Sequence, residues 1–418
     1  MSFEPFAAEL RENPYPHYKA LRDASPVVFA PEANCWCISR YDDVSAVLND
    51  PETFSSRGMR VMLMQGGRDG PPDLSWEVLR FVGKMLWHTR MHPKGFGEAR
   101  GLIMEDGSAH AETRSVVNRG FTPRGIASWE PRVHEVAARC LDGLRASGRL
   151  EVVRELAVPL PLTMITELLG IEPERREQFK RWTDAIVESI STPAGRSDLF
   201  ARDFVDVFIE MAVYFKRAAR DRRENPRDDL ISAIVREGDG EVALNDYDVL
   251  TFVIVLLVAG NETTTNLIGN AINALYDHPT QLERLVANPS GVGAALEETL
   301  RFDGPVQMVF RETTREARVC GVQIGAGEMV AAILGSANRD ERQFPDPDVF
   351  DIERRPQGHL AFGFGKHFCL GSALARLEAR CALEALLPEL PALQRVDHSA
   401  ERVDSFLVRG PRQIQLVR

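Results

Sequence analysis

Apolar residues recur three and four positions apart along 131–144, 174–190, 204–223, 246–276, 291–301 and 371–387. That period lines one face of a helix with core side chains and turns the other face to water. Shorter runs rich in β-branched, aromatic or cysteine side chains occur at 26–29, 35–39, 319–324, 329–333 and 406–417 and predict strands. The chain therefore reads as mainly α with a small β part, β-rich roughly over 25–57, 305–335 and 390–418 and helical in the remainder.

The longest periodic stretch begins after Asn245, a good N-cap, and ends before Pro279, which disfavours helix in the residue ahead of it. Its most apolar run, 249–260, is about a dozen residues, short of a membrane span and typical of a buried core helix. The breakers Gly66-Gly67, Gly70-Pro71-Pro72 and Gly95-Phe96-Gly97 make 57–106 an extended loop, a length that marks a lid. Inside it Trp76, Leu79, Phe81, Met85, Leu86 and Trp87 are spaced for a short amphipathic helix covering something apolar.

Composition narrows the class. With 44% hydrophobic and 27% charged residues over 418 positions, and no linker or repeat, one large globular domain spanning 1–418 is expected. The 61 acidic against 50 basic side chains give a net charge of -11, which argues against a nucleic-acid partner. The first residues carry charge and proline too early for a signal peptide, so a cytoplasmic protein without a membrane anchor is expected. Six scattered cysteines read as reduced thiols; Cys35 and Cys37 share a strand face but lack a second ligand pair nearby.

The strongest chemical signal is Phe362-Gly363-Phe364-Gly365-Lys366-His367-Phe368-Cys369-Leu370-Gly371, running straight into the periodic 371–387 segment. Glycines permit a tight turn before the cysteine, and a thiolate ahead of a helix faces unsatisfied N–H groups and the positive end of the dipole. A second signal is Ala259-Gly260-Asn261-Glu262-Thr263-Thr264 inside the long apolar helix. Polar groups are expensive in a core, and two small residues beside a helical hydroxyl leave an oxygen-sized groove. A structural reading also accounts for it, as a helix kink with a solvated or paired glutamate. Glu298-Thr299-Leu300-Arg301 sets an acid and a base three apart on one helical face, a weak pattern alone.

Together these segments resemble the cytochrome P-450 family, soluble bacterial type, over essentially the whole chain, including Asn13-Pro14-Tyr15, Phe121-Thr122-Pro123, Asn338-Arg339-Asp340 and Phe344-Pro345-Asp346-Pro347. The resemblance implies the cytochrome P-450 fold, with haem b (heme b, iron protoporphyrin IX) between the long central helix and the cysteine-loop helix. It makes Cys369 the axial iron ligand, whose electron donation favours O–O cleavage. Thr263 would hydrogen-bond the oxygen and Glu262 would connect it to water as proton relay. Ala259, Gly260, Phe362 and Gly371 would lie against the haem, and His110, Arg114, Arg311 and His367 would hold its propionates. Glu298, Arg301 and Arg354 would form a buried structural network. Asn261 stands where the family often has histidine.

By the same resemblance the substrate pocket comprises Trp76, Phe81, Met85 and Trp87 of the 57–106 segment, Val255, Val258, Val306, Met308, Val309, Phe406 and Leu407. An apolar pocket predicts a hydrophobic small molecule of terpenoid, steroid or polyketide type, hydroxylated or epoxidised with O2 by a monomeric enzyme. No flavin or nicotinamide motif accompanies the haem motif, so electrons are expected from a separate ferredoxin and ferredoxin reductase. Lys366, Arg376 and Arg380 offer a positive face for the acidic ferredoxin. Rival readings are a peroxide-driven peroxygenase, a haem-thiolate sensor or carrier, and a hydrolase using Cys369 with His367.

Overall fold

The computed structural model describes residues 3–65, 76–92, 94–95, 99–191, 202–236, 244–396 and 401–418. Most of the breakers that marked 57–106 as a loop lie outside them. The helices that matter for the site are α1 (Arg57–Gln65), α2 (Trp76–Thr89), α3 (Gly107–Asn118), α4 (Glu130–Cys140), α5 (Arg176–Ser191), α6 (Arg202–Glu224), α7 (Asp246–Asp277), α8 (Val292–Phe302) and α9 (Ser372–Leu386). Two of them occupy the segment predicted as an extended loop. Met59 and Met62 of α1 and Met85 of α2 are buried, and that helical spacing of apolar side chains overrides the glycine and proline punctuation.

The chain divides into two compact units, one formed by Met1–Gly58, Pro123–Pro161 and Glu262–Arg418, the other by Met59–Thr122 and Leu162–Asn261. The first unit holds every strand of the described residues. β1 (Val27–Ala30), β2 (Cys35–Ile38), β3 (Phe54–Ser55), β5 (Val309–Thr313) and β8 (Met329–Ala332) form a five-stranded sheet in the order β1-β2-β8-β5-β3. All its pairings are antiparallel except β2 with β8. β4 (Arg149–Glu151), β10 (Gln415–Val417) and β9 (Gln394–Arg395) make a second sheet, and β6 (Ala317–Val319) with β7 (Val322–Ile324) a hairpin. Beneath the large sheet Ile38, Val44, Leu48, Phe54, Ile324, Val330, Ala332 and Leu360 form one apolar cluster. That cluster anchors β5 and the segment leading to Cys369.

Three predicted elements come out differently. The 319–324 strand is a hairpin: Cys320 (φ 47°) and Gly321 (φ 81°) both adopt left-handed backbone and fold the chain back on itself. The 131–144 helix stops at Cys140 and restarts at Asp142. The 406–417 strand survives only as β10, because Pro411 has no N–H to donate, and Gly410 passes so close to α7 that a Cβ there would fall 2.0 Å from Asn266 Oδ1.

In the second unit α6 packs on α2 and α5. Phe81 and Phe208 meet edge to face at 5.7 Å, Lys84 pairs with Asp206, and Trp182 lies 5.4 Å from Tyr214 and donates to Glu210 at 3.1 Å. α7 starts at the predicted cap: Asn245 Oδ1 accepts the N–H groups of Tyr247 and Asp248, at 2.8 and 3.1 Å. Among the described residues α7 is the one helix long and apolar enough to cross a membrane, yet Val253, Leu257, Leu267, Ile268 and Ile272 along it are buried, as in a core helix.

Candidate active site

The cysteine loop is built by two glycines with positive φ, Gly363 (72°) and Gly365 (71°), around a 3-10 turn over Gly365–His367. The loop closes on itself: the Cys369 N–H donates to the Phe362 carbonyl at 2.9 Å, and that of Phe368 to Gly365 at 3.1 Å. Gly365 needs its missing side chain, since a Cβ would lie 3.1 Å from Asn49 Oδ1 and 3.3 Å from the Leu48 carbonyl. Cys369 is exposed and sits just ahead of α9. His367 is tied to β3's end by a 2.9 Å hydrogen bond between Nε2 and Ser56 Oγ.

A network that the sequence did not announce holds this loop from behind. Arg376 donates to both oxygens of Glu297, at 2.6 and 2.9 Å, and its guanidinium lies 4.4 Å from the centre of the Phe362 ring. His359 adds a 3.0 Å contact to the same carboxylate. Burial works against the charge on Glu297, but His359 and Arg376 hold its pKa down at about 2. On the predicted ferredoxin face, Arg376 pairs with Glu297, and Arg380 with Glu130 (2.7 Å) and Glu384 (3.2 Å), so neighbouring carboxylates offset both charges. Lys366 remains exposed.

The predicted structural trio does come together. Arg301 donates to Glu298 at 2.7 and 2.8 Å and to the carbonyls of Asn338 and Pro347, while Arg354 reaches Glu298 at 3.1 Å. The Asp351 N–H also donates to Glu298, at 3.0 Å, so the carboxylate is fully used.

On α7, Ala259 is exposed although the helix around it is largely buried, and a Cβ on Gly260 would meet nothing within 4 Å. This leaves open space against the helix surface at the two small residues. Glu262 follows two residues after Gly260, half-buried, with no hydrogen bond or ion pair to a described residue; burial alone raises its pKa to about 7. Thr263 is half-buried beside it, and Thr265 Oγ1 donates to the Ala157 carbonyl at 2.9 Å. Asn261 is buried, its Oδ1 without a donor among the described residues.

The four predicted propionate contacts divide between the units. His110 (buried) and Arg114 (half-buried) are four apart on α3 in the second, Arg311 (buried) and His367 in the first. β5 turns Val309 and Arg311 to the same sheet face by its period of two, and Arg311 Nη1 donates to the Phe310 carbonyl at 2.8 Å. Among the pocket candidates Val255, Val258, Val306, Val309 and Leu407 are half-buried, and Met308 and Met85 buried. Met308 and Phe406 line a cleft of about 360 Å³, open to solvent, with Tyr18, Gln307 and Arg409. Trp76 and Trp87 were expected to cover an apolar surface; instead they are 75% and 84% exposed, while Met85 supplies the inward face of α2.

An exposed cysteine on a glycine-turned loop ahead of a helix, and a half-buried acid beside a small-residue notch on α7, are the features expected of a haem-thiolate oxygenase. The Cytochrome P-450 family description matches residues 162–289 and 292–416. Vitamin D(3) 25-hydroxylase of Pseudonocardia autotrophica is 35% identical over 413 residues, covering 97% of this chain and 94% of that protein. The solved structure of cytochrome P-450 CYP109Q5 from Chondromyces apiculatus is 37% identical with a TM-score of 0.83, covering 100% of this chain and 98% of that one. That of CYP109E1 from Bacillus megaterium in complex with corticosterone is 32% identical with a TM-score of 0.82, covering 98% and 99%. The chain belongs to the cytochrome P-450 family. It is a monooxygenase and binds haem b.

The residues fit that group. The donor is a solvent-accessible sulfur, the only soft ligand on the loop, and a Cβ on Gly371 two residues on would meet nothing within 4 Å, so the backbone there leaves room for a flat macrocycle.

Proposed function

We propose that the enzyme hydroxylates or epoxidises a steroid-sized hydrophobic small molecule in the cytoplasm, with electrons supplied by a separate ferredoxin and ferredoxin reductase. The observation that carries the monooxygenase site is the pairing of a half-buried Glu262, without a partner among the described residues, with the open side of Gly260 on α7. A carboxyl whose pKa is lifted to about 7 by burial holds a proton at neutral pH and can release it, the property a proton relay needs. Haem b, when bound, supplies the reductive activation of O2 and the transfer of one oxygen atom.

The chain's own residues divide the remaining work. Cys369 would ligate the haem iron, its backbone held by the Phe362 carbonyl and by the Gly363 and Gly365 turns. Glu297, Arg376 and Phe362 brace the loop; His110, Arg114, Arg311 and His367 would hold the propionates, where forked guanidinium donors suit carboxylates. Glu262 moves the proton and the Thr263 hydroxyl orients it. Val255, Val258, Val306 and Val309 present apolar surface, so affinity comes mainly from buried area. The steroid class is supported by the corticosterone held by CYP109E1 and by the substrate in the name of the vitamin D(3) hydroxylase. Lys366, exposed three residues ahead of Cys369, is the cation best placed for an acidic ferredoxin.

The test is a spectrum. Reduced protein under carbon monoxide should give the strongly red-shifted Soret band of thiolate ligation, lost in Cys369→His. Corticosterone should then shift the ferric Soret band and be converted to a product heavier by one oxygen atom. An ordinary carbonyl spectrum sinks the site; a normal spectrum with no steroid shift, but a shift with a terpenoid or macrolide, sinks only the substrate class.

A further inference from the structure

The packing of α4 on α9 brings three side chains of different ligand type to one point. His134 Nε2, the Cys381 sulfur and a Glu384 carboxylate oxygen all lie within 4.8 Å of one another, and the imidazole nitrogen is 3.6 Å from Glu384 Oε2. We propose that His134, Cys381 and Glu384 form a zinc site that staples α4 to α9, separate from the haem.

The geometry is nearly that of a bound ion. Zinc holds nitrogen and oxygen donors at about 2.0–2.2 Å and sulfur at about 2.3 Å in a tetrahedron, which sets the donors roughly 3.3–3.8 Å apart. The imidazole nitrogen and the Glu384 oxygen, 3.6 Å apart, already stand at that spacing, and the Cys381 sulfur, within 4.8 Å of both, must approach by up to about 1 Å. Cys381 and Glu384 are three apart on one face of α9, and His134 meets them from α4. A thiolate with an imidazole and a carboxylate is the mixed donor set that selects zinc over magnesium or calcium, which take oxygen alone. A water would complete the tetrahedron.

The ion-pair reading of this cluster explains only part of it. Arg380 donates to Glu130 at 2.7 Å and to both Glu384 oxygens at 3.2 Å, and Glu130 Oε1 lies 3.8 Å from His134 Nε2. That accounts for the carboxylates and leaves the buried Cys381 thiol, which has no hydrogen bond to a described residue, without a role. With zinc in place Glu384 Oε2 turns to the metal while Oε1 stays with Arg380, the supporting contact that ligating carboxylates use. Charge also balances. Binding replaces the thiol proton, so Zn²⁺ with one thiolate, one carboxylate and a neutral imidazole is net neutral in a half-buried position, and the Arg380–Glu130 pair is undisturbed. Zinc binds the thiolate, so binding displaces the thiol proton and affinity rises with pH.

The test uses the haem-loaded enzyme carrying Cys320→Ser, which removes the exposed thiol. One equivalent of zinc should bind at micromolar or lower concentration with release of about one proton, and zinc-edge X-ray absorption should show one sulfur among nitrogen and oxygen neighbours. His134→Gln and Cys381→Ser should each weaken binding by at least about 100-fold, since loss of a mere supporting partner already costs roughly 10–100-fold. The carbon monoxide band should not change, because Cys369 keeps its iron. A sulfur-free zinc shell, unchanged affinity in both variants, bleaching of the carbonyl band, or no uptake at micromolar zinc each overturns the site. The absorption measurement leaves His134, Cys381 and Glu384 in place, so a misfolded ligand mutant does not protect the proposal.

Discussion

Arg301 grips both oxygens of Glu298, one helical turn back on α8, at 2.7 and 2.8 Å, and neither side chain has any solvent exposure. Such a pair costs much to desolvate and gains it back only while every partner is present. Glu298→Gln strands Arg301 against a neutral amide with no water to replace the lost charge. The expected loss is about 3–5 kcal/mol of stability and most of the bound haem, read from the thermal midpoint and the Soret-to-protein absorbance ratio. Arg354→Lys, at a position 15% exposed, should cost far less. Equal effects of the two would mean that the pair, as a pair, contributes little.

Glu262 makes catalysis pH-dependent in a stated direction. Burial lifts its pKa to about 7, so the carboxyl carries a proton below that value and loses it above. Product formed per electron consumed should therefore fall as pH rises through 7, and Glu262→Gln should abolish that step while lowering coupled turnover by at least about tenfold. A glutamine variant that keeps the wild-type pH profile would remove Glu262 from the relay.

Glu378, on α9, is buried with no charged partner among the described residues, and burial raises its pKa from 4.5 to about 8. A raised folded-state pKa means that the folded chain binds the proton more tightly than the unfolded one. The contribution is complete below pH 4.5 and disappears as pH rises through 8. Between those values wild-type stability should decline, by up to about 5 kcal/mol, and Glu378→Gln should be flatter over the same window. Denaturant midpoints at pH 5, 7 and 9 for the two proteins check this; parallel curves would show that Glu378 does not titrate as described.

How far the chain could be read follows from which interactions are local. α7 and α9 were predicted within a residue or two of Asp246–Asp277 and Ser372–Leu386 because periodicity, the Asn245 cap and Pro279 act over single turns. β5 lies in the β-rich 305–335 part but was not delimited as a strand: Val309-Phe310-Arg311-Glu312-Thr313 does not alternate apolar with polar, since Arg311 is itself buried. The Glu297–Arg376 brace joins residues 79 apart, and nothing in either neighbourhood marks the pairing. Resemblance found Glu298 and Arg301; only the fold showed that Arg376 and Arg380, counted as surface cations, are already paired. The exposure of Trp76 and Trp87 was equally hidden, because a tryptophan stripe at helical spacing looks the same whether it faces a core or water.

Gly58 lets the first turn of α1 pass against the backbone of β5. A Cβ there would fall 2.3 Å from the Arg311 carbonyl carbon and 2.6 Å from its Cα, both backbone atoms of β5 that cannot rotate away. Gly58→Ala must therefore shift β5 or the start of α1, a rearrangement of the overpacking kind costing typically about 1–3 kcal/mol. Because Arg311 shares its sheet face with Val309, the displacement reaches a propionate contact and a pocket residue together. The expected result is a lower thermal midpoint with weaker haem retention and looser steroid binding, whereas Gly371→Ala, whose Cβ meets nothing within 4 Å in the protein, should leave the haem-free fold intact. Unchanged haem content in Gly58→Ala would show that Arg311 tolerates the shift and is not holding a propionate.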